Sequence, residues 1–208
     1  MPNDTRLSYR VFGTPGAERL VVLVGRGIAV TLDPHPTETA ARDICVLAVA
    51  LAGGEILDSG TYGSETPAES TASSLADLIH ESLAAIQSAR GGAVVRTAAV
   101  VAYRDGVDVA LRAAVGLGST VDSAALVAVA APAAPLDRDD FGSLLGAVSA
   151  QTLILNGVGE RSAGEADALW YQDQMPAARA EMVPVRNALT LPAVWGRVLA
   201  HVAPGTER

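Results

Sequence analysis

The sequence predicts an α/β protein, a mainly parallel central sheet with helices on both faces and no substantial lid domain. Two observations lead there. Strand-length runs that are apolar along their whole length recur through the chain, and such strands are the ones buried on both faces, as in a parallel sheet. Between them lie segments whose apolar residues fall at helical spacing, which is the alternation of a strand-helix-strand architecture. With 208 residues, half of them apolar, the chain is long enough to bury a sizeable core. No internal repeat and no second apolar centre is visible, so one domain over residues 1–208 is expected.

Taken in order, "LSYRVFG" reads as a first strand, "RLVVLVG" as a second, fully buried one, and "ICVLAVAL" as a third. The polar stretch "AGGEILDSGTYGSETPAEST" reads as a surface loop. In "SLADLIHESLAAIQSA", Leu75, Leu78, Ile79, Leu83 and Ile86 mark one face of a helix, with Ser73 or Ser74 as its cap. "TAAVVAY" is the next strand, and Gly106 opens a helix running to about Leu117. "SAALVAVAAP" and "QTLILNGVG" are two further apolar strands, joined through residues 133–150 by a short connection. A helix near "GEADALWYQDQM", a short strand "RAEMVPV" and a closing helix "LPAVWGRVLAHV" complete the chain. Pro192 falls near the first turn of that last helix, where its missing amide costs little.

Composition narrows the chemistry. Only 4% of the residues are aromatic, so the core is expected to consist mainly of Ala, Val and Leu. All 15 basic residues are arginine. Without lysine there is no Schiff base, no pyridoxal linkage and no P-loop. A net charge of −8 with scattered arginines argues against a nucleic-acid surface, and no basic amphipathic stretch points to a membrane surface. The longest apolar run, "AALVAVAAPAAPL", is too short to span a bilayer and is broken by Pro132 and Pro135. "MPNDTRLSYR" shows no signal-peptide pattern, so a cytoplasmic protein is expected. Cys45 has no intrachain partner and sits in an apolar run, where burial leaves a thiol inert.

The stretch "VVAYRDGVDVAL", residues 100–111, carries the most informative motif. A buried strand runs into a tight turn, with small residues Ala102 and Gly106 on either side of Arg104, and a helix follows. Such flanks let strand and helix approach closely while the residue between them is held at the tip. This turn, with the order of elements across nearly the whole chain, resembles the α/β-hydrolase family, whose nucleophile takes the position of Arg104. The resemblance implies further landmarks. Gly25 and Arg26 fall where the family has a His-Gly near its oxyanion hole, and Ala50 where it often has an acidic turn residue. Glu160 takes about the position of the triad acid. "VPVRNALTLP", with Arg186 and Asn187, spans the place where the triad histidine is due.

Acyl transfer through a triad needs a nucleophile and a base within hydrogen-bond reach. A guanidinium stays protonated at neutral pH, and an asparagine cannot cycle a proton, so the resemblance implies the scaffold without classical hydrolysis. Shifting the register by one would make Asp105 the nucleophile, but both small flanks are lost and a histidine is still missing. His80 and His201 fall in helices, and His35, in "LDPHPTE", on a loop that could border the pocket. "VGRGIAV" fits a dinucleotide fingerprint only through Gly25 and Gly27, with Val30 in place of the third small residue and Ala50 in place of a ribose-binding acid. The histidines are scattered and the cysteine stands alone, so neither a metal site nor a cofactor is expected.

Ligands of open α/β sheets bind at the carboxyl ends of the strands. There Arg104, Asp105 and Glu160 are the catalytic candidates, and Arg26, His35, Tyr103, Arg186 and Asn187 the substrate-binding ones. An arginine fork suits a carboxylate or an enolate oxygen, with a carboxylate or Tyr103 assisting proton transfer. The expectation is a small anionic or enolate-forming molecule handled by lyase, isomerase or cyclase chemistry, in bacterial biosynthesis. The alternative is an inactive relative that binds a ligand or a partner chain, its pocket plugged by ion pairs of Arg104 with Glu160 or Asp105. The little chain between Pro132 and Gln151 leaves the pocket without a lid, and a homodimer is expected to cover it.

Overall fold

A computed structural model describes residues 7–27, 30, 32–51, 68–92, 95, 97–133 and 135–208. Strands β1 (Ser8–Gly13), β2 (Arg19–Arg26), β3 (Ile44–Leu51), β4 (Ala98–Tyr103), β5 (Val121–Val127), β6 (Gln151–Val158) and β7 (Ala178–Pro184) form one sheet. Their order is β1-β3-β2-β4-β5-β6-β7, with β1 antiparallel to β3 and every other neighbouring pair parallel. Helices α1 (Pro36–Ala40), α2 (Ala68–Ala89), α3 (Val107–Leu117), α4 (Pro135–Gly146), α5 (Glu165–Gln174) and α6 (Leu191–Val202) connect the strands or follow them. No helix among the described residues is long and apolar enough to cross a membrane.

The period-two alternation of strand side chains divides the core between the two faces. Leu20, Val22 and Val24 of β2 pack with α2, α3 and α5 on one face, while Val21 and Leu23 pack with α6 on the other. In β4, Ala98, Val100 and Ala102 turn to the first face, and Ala99, Val101 and Tyr103 to the second. A strand buried on both faces must be apolar throughout, which is why β2 to β6 stand out in the sequence.

Three elements differ from the sequence expectation. The helix expected to start at Ser73 or Ser74 starts at Ala68, and Ser74 lies inside it, donating to the Ser70 carbonyl at 3.1 Å. The rest of the preceding polar stretch, residues 52–67, lies outside the described residues. The connection over residues 133–150 holds helix α4. Phe141 of α4 stacks near Trp170 of α5, with ring centroids 6.4 Å apart, and meets Tyr171 edge-on at 6.2 Å. Aromatic pairs of this kind add about 0.5–1.5 kcal/mol beyond their area. The short helix α1 was not expected at all, and a chain of 208 residues has no room for a large lid.

The two edges of the sheet are treated differently. At β7, the side chain of Gln172 accepts the Ala180 backbone N–H at 2.6 Å. At β1, Tyr9 and Val11 are 54% and 57% exposed.

The amino ends of the strands are tied together by Arg19. Its Nε donates to the Val202 carbonyl at 2.9 Å, and its two terminal nitrogens donate to Thr97 (2.8 Å), Ser123 (2.7 Å) and both oxygens of Asp122. Burial works against the charged form of Asp122, but Arg19, with Thr97 and Ser123, outweighs it and holds the carboxyl below its ordinary value. A cleft of about 670 Å³ opens at this end, lined in part by Arg19, Asp122, Gln151, Arg179 and His201. Several of its polar groups are already engaged: His201 Nε2 meets the Gln151 carbonyl at 3.0 Å, and Arg179 pairs with Glu181 at 3.4 Å. The parallel strands put this cleft at the opposite end from the site candidates.

Candidate functional site

The turn after β4 is built by small residues. A Cβ on Gly106 would lie 2.5 Å from the Val24 carbonyl oxygen and 2.9 Å from the Gly25 Cα. A Cβ on Gly25 would lie 2.7 Å from Val30 Cγ1 and 3.2 Å from the Tyr103 carbonyl oxygen. The turn therefore rests directly on the carboxyl end of β2, and Arg104 is lifted to its tip. Arg104 takes the left-handed region at φ 50°, one short helical turn spans Arg104–Gly106, and α3 follows at once. Left-handed backbone at a residue with a side chain is strained and persists only where its surroundings enforce it.

The Arg104 side chain is exposed, and its Cζ lies 5.2 Å from the centroid of the Tyr103 ring, over its face. No ion pair joins Arg104 to Asp105, Glu160 or another carboxylate among the described residues. Asp105, also exposed, has no ion pair among them either.

Tyr103 and Glu160 come together on the backbone of one residue, Leu189, holding the two peptide groups on either side of it. The buried Tyr103 donates its hydroxyl to the Leu189 carbonyl at 3.3 Å, and the Leu189 N–H donates to Glu160 Oε1 at 3.2 Å. Leu189 lies in the loop between β7 and α6 and is fully buried, so this loop is gripped from the turn after β4 and from the end of β6. Glu160 Oε2 is buried without a hydrogen-bond partner. Gly157 makes room for it, since a Cβ there would collide with Oε2 and lie 2.9 Å from Val185 Cγ2.

The other candidates are more scattered. Arg26 ends β2, half-buried, and its Nε is buried without a partner. Arg186 and Asn187 are exposed in the loop before Leu189. His35 caps the start of α1: its Nδ1 accepts the Glu38 N–H at 3.4 Å, and its own N–H donates to Asp33 at 3.0 Å. The structure thus gives His35 a local structural task.

A feature that sequence reasoning missed is a cluster of strain. Among the described residues, the non-glycine residues at positive φ are Arg104, Ala128 (54°) and Ala163 (67°). They follow the carboxyl ends of β4, β5 and β6. Buried Asn156 enforces the last two: its Oδ1 accepts the Val129 N–H at 3.0 Å, and its Nδ2 donates to the carbonyls of Val129 (2.9 Å) and Gly164 (3.1 Å). Asp167 and Tyr171 hold the same segment through the Ala131 N–H and the Ala130 carbonyl, both at 3.0 Å. The one available signal was a polar residue inside the apolar run "TLILNGVG".

No protein-family profile matches the sequence, and no curated protein does. Solved structures match over nearly the whole chain. MGS-M2, an α/β-hydrolase enzyme from a Medee basin deep-sea metagenome library, gives a TM-score of 0.67 at 11% identity, covering 93% of this chain and 92% of that one. The 2-hydroxy-6-oxo-6-phenylhexa-2,4-dienoate hydrolase BphD of Rhodococcus sp. strain RHA1 gives 0.59 at 14% identity, covering 93% of each chain. The chain has the α/β-hydrolase fold. The meta-cleavage product hydrolase CumD of Pseudomonas fluorescens IP01 shares it, with a TM-score of 0.60 at 14% identity, over 93% of this chain and 92% of that one. At such identities the likeness concerns the α/β-hydrolase fold and not the activity. Within that fold Arg104 occupies the tip of the turn from the central strand into α3, and Glu160 follows β6.

Proposed function

We propose that the protein binds a small anionic or enolate-forming molecule at the carboxyl edge of its sheet, and that its chemistry there is of lyase, isomerase or cyclase type and not hydrolytic. One observation carries the reading: Arg104 stands exposed on a strained turn tip with no carboxylate partner among the described residues. A cation held in that way is free to meet an anion, and its fork fits a carboxylate or enolate oxygen. The start of α3 at Val107, one short turn beyond Arg104, adds a dipole of the same sign. A guanidinium has no lone pair with which to attack a carbonyl, and the loop at 185–190 offers Arg186 and Asn187 in place of a base.

A second reading, binding without turnover, is favoured by the Leu189 grip. Tyr103 and Glu160, two of the groups that could move a proton, are both engaged with the Leu189 backbone.

Calorimetric titration with malonate tests the first step. The wild type is expected to bind saturably and more weakly as salt rises, and Arg104→Ala to bind at least about tenfold more weakly. Equal binding by the variant overturns the reading. Pyruvate in D₂O separates the two versions: catalysed exchange of its methyl protons favours enolate chemistry, and binding without exchange favours the second reading.

A further inference from the structure

We infer that Tyr103 is a positioning residue for Arg104, its ring a fixed platform that holds the guanidinium at the turn tip, ready for a planar oxyanion such as a carboxylate. The inference rests on the anion-binding reading and adds how the cation is aimed.

Consecutive side chains of a strand point to opposite faces. The change to left-handed backbone at Arg104 lets its side chain reach back over the ring of its own neighbour, with Cζ 5.2 Å from the centroid. That ring is buried and anchored. Tyr103 is 6% exposed, belongs to the same buried cluster as Val30, Val101 and Leu189, and is anchored through its hydroxyl to the Leu189 carbonyl.

The choice of an aromatic partner matters chemically. A carboxylate beside Arg104 would fix the side chain and neutralise it at once. The face of a ring attracts a cation through its quadrupole and leaves the full positive charge for a ligand. A long side chain on an exposed tip otherwise loses rotamer freedom each time it binds, and a platform removes part of that cost beforehand.

The test uses the full-length protein, with Tyr103→Leu to remove the ring and Tyr103→Phe to keep it. Without any ligand, the Arg104 Nε–H proton of the wild type is expected upfield of its random-coil position because of the ring current. It should return to random coil in Tyr103→Leu and be restored in Tyr103→Phe. In malonate titrations Tyr103→Leu should bind about fivefold more weakly, and Tyr103→Phe should recover that loss. A random-coil Arg104 resonance in the wild type overturns the platform without recourse to any variant. So does malonate binding by Tyr103→Leu as tight as by the wild type. A shifted resonance in a wild type that does not bind malonate overturns the anion-binding reading instead, and with it the role assigned to the platform.

Discussion

At Arg104 the backbone holds strain that a glycine would release. A Cβ in the left-handed region costs about 1–2 kcal/mol, of which glycine's greater entropy loss takes back a part. Arg104→Gly is therefore expected to be about 1 kcal/mol more stable than Arg104→Ala in urea unfolding. Equal midpoints for the two would mean that the turn is not held at positive φ in solution. Two residues on, the demand is reversed. Gly106→Ala would drive a Cβ against the Val24 carbonyl, 2.5 Å away, and should cost about 2 kcal/mol, because backbone on both sides leaves nothing to give way. The identities on which these effects depend, Ala102, Arg104 and Gly106, were legible in the sequence as a local frame. Tyr103 was legible as a binding candidate, but its place beneath Arg104 was not, because it depends on the left-handed backbone at the turn.

At the scale of elements, the loops after β5 and β6 depend on one amide. Asn156→Ala leaves the Val129 N–H and the carbonyls of Val129 and Gly164 without their partner. Each abandoned buried group costs about 1–3 kcal/mol, so a loss of about 3 kcal/mol is expected in denaturant melts. A loss below about 1 kcal/mol would show that water replaces the side chain. The strands were readable because burial on both faces keeps the middle of β2 to β6 almost wholly apolar. Helix α4 was not: Asp137, Arg138, Asp139 and Asp140 with Gly142 give it no apolar stripe. Phe141 and Leu145 secure it by packing on residues distant in the chain. Helix α1 is too short to show a period. The Leu189 grip could not be read either, since half of it is backbone, which is the same at every position.

At the scale of the molecule, Arg19 and Asp122 bind the starts of β2 and β5 to the end of α6. Because folding lowers the Asp122 pKa from its ordinary 3.8, the stabilisation is present above that pH and lost as pH falls through the folded value. Asp122→Asn should be less stable than the wild type at pH 7 and converge with it in acid, as followed by thermal melts across pH. Parallel curves would remove the pair from the account. A fluorophosphonate probe should leave the native protein unlabelled, and nitrophenyl esters should turn over no faster than with denatured protein. Robust labelling would mean that a nucleophile exists where none is proposed.

The unequal sheet edges bear on how copies of this chain could join. A strand arriving at β7 needs the Ala180 N–H, which Gln172 already occupies, whereas the other edge strand, β1, carries exposed Tyr9 and Val11. Pairing β1 with β1 about a twofold axis would join the two molecules at that edge and leave a β7 edge at each end. If copies join through β1, the pair would meet further copies only at β7, where the Ala180 N–H is already taken, so growth would stop at two.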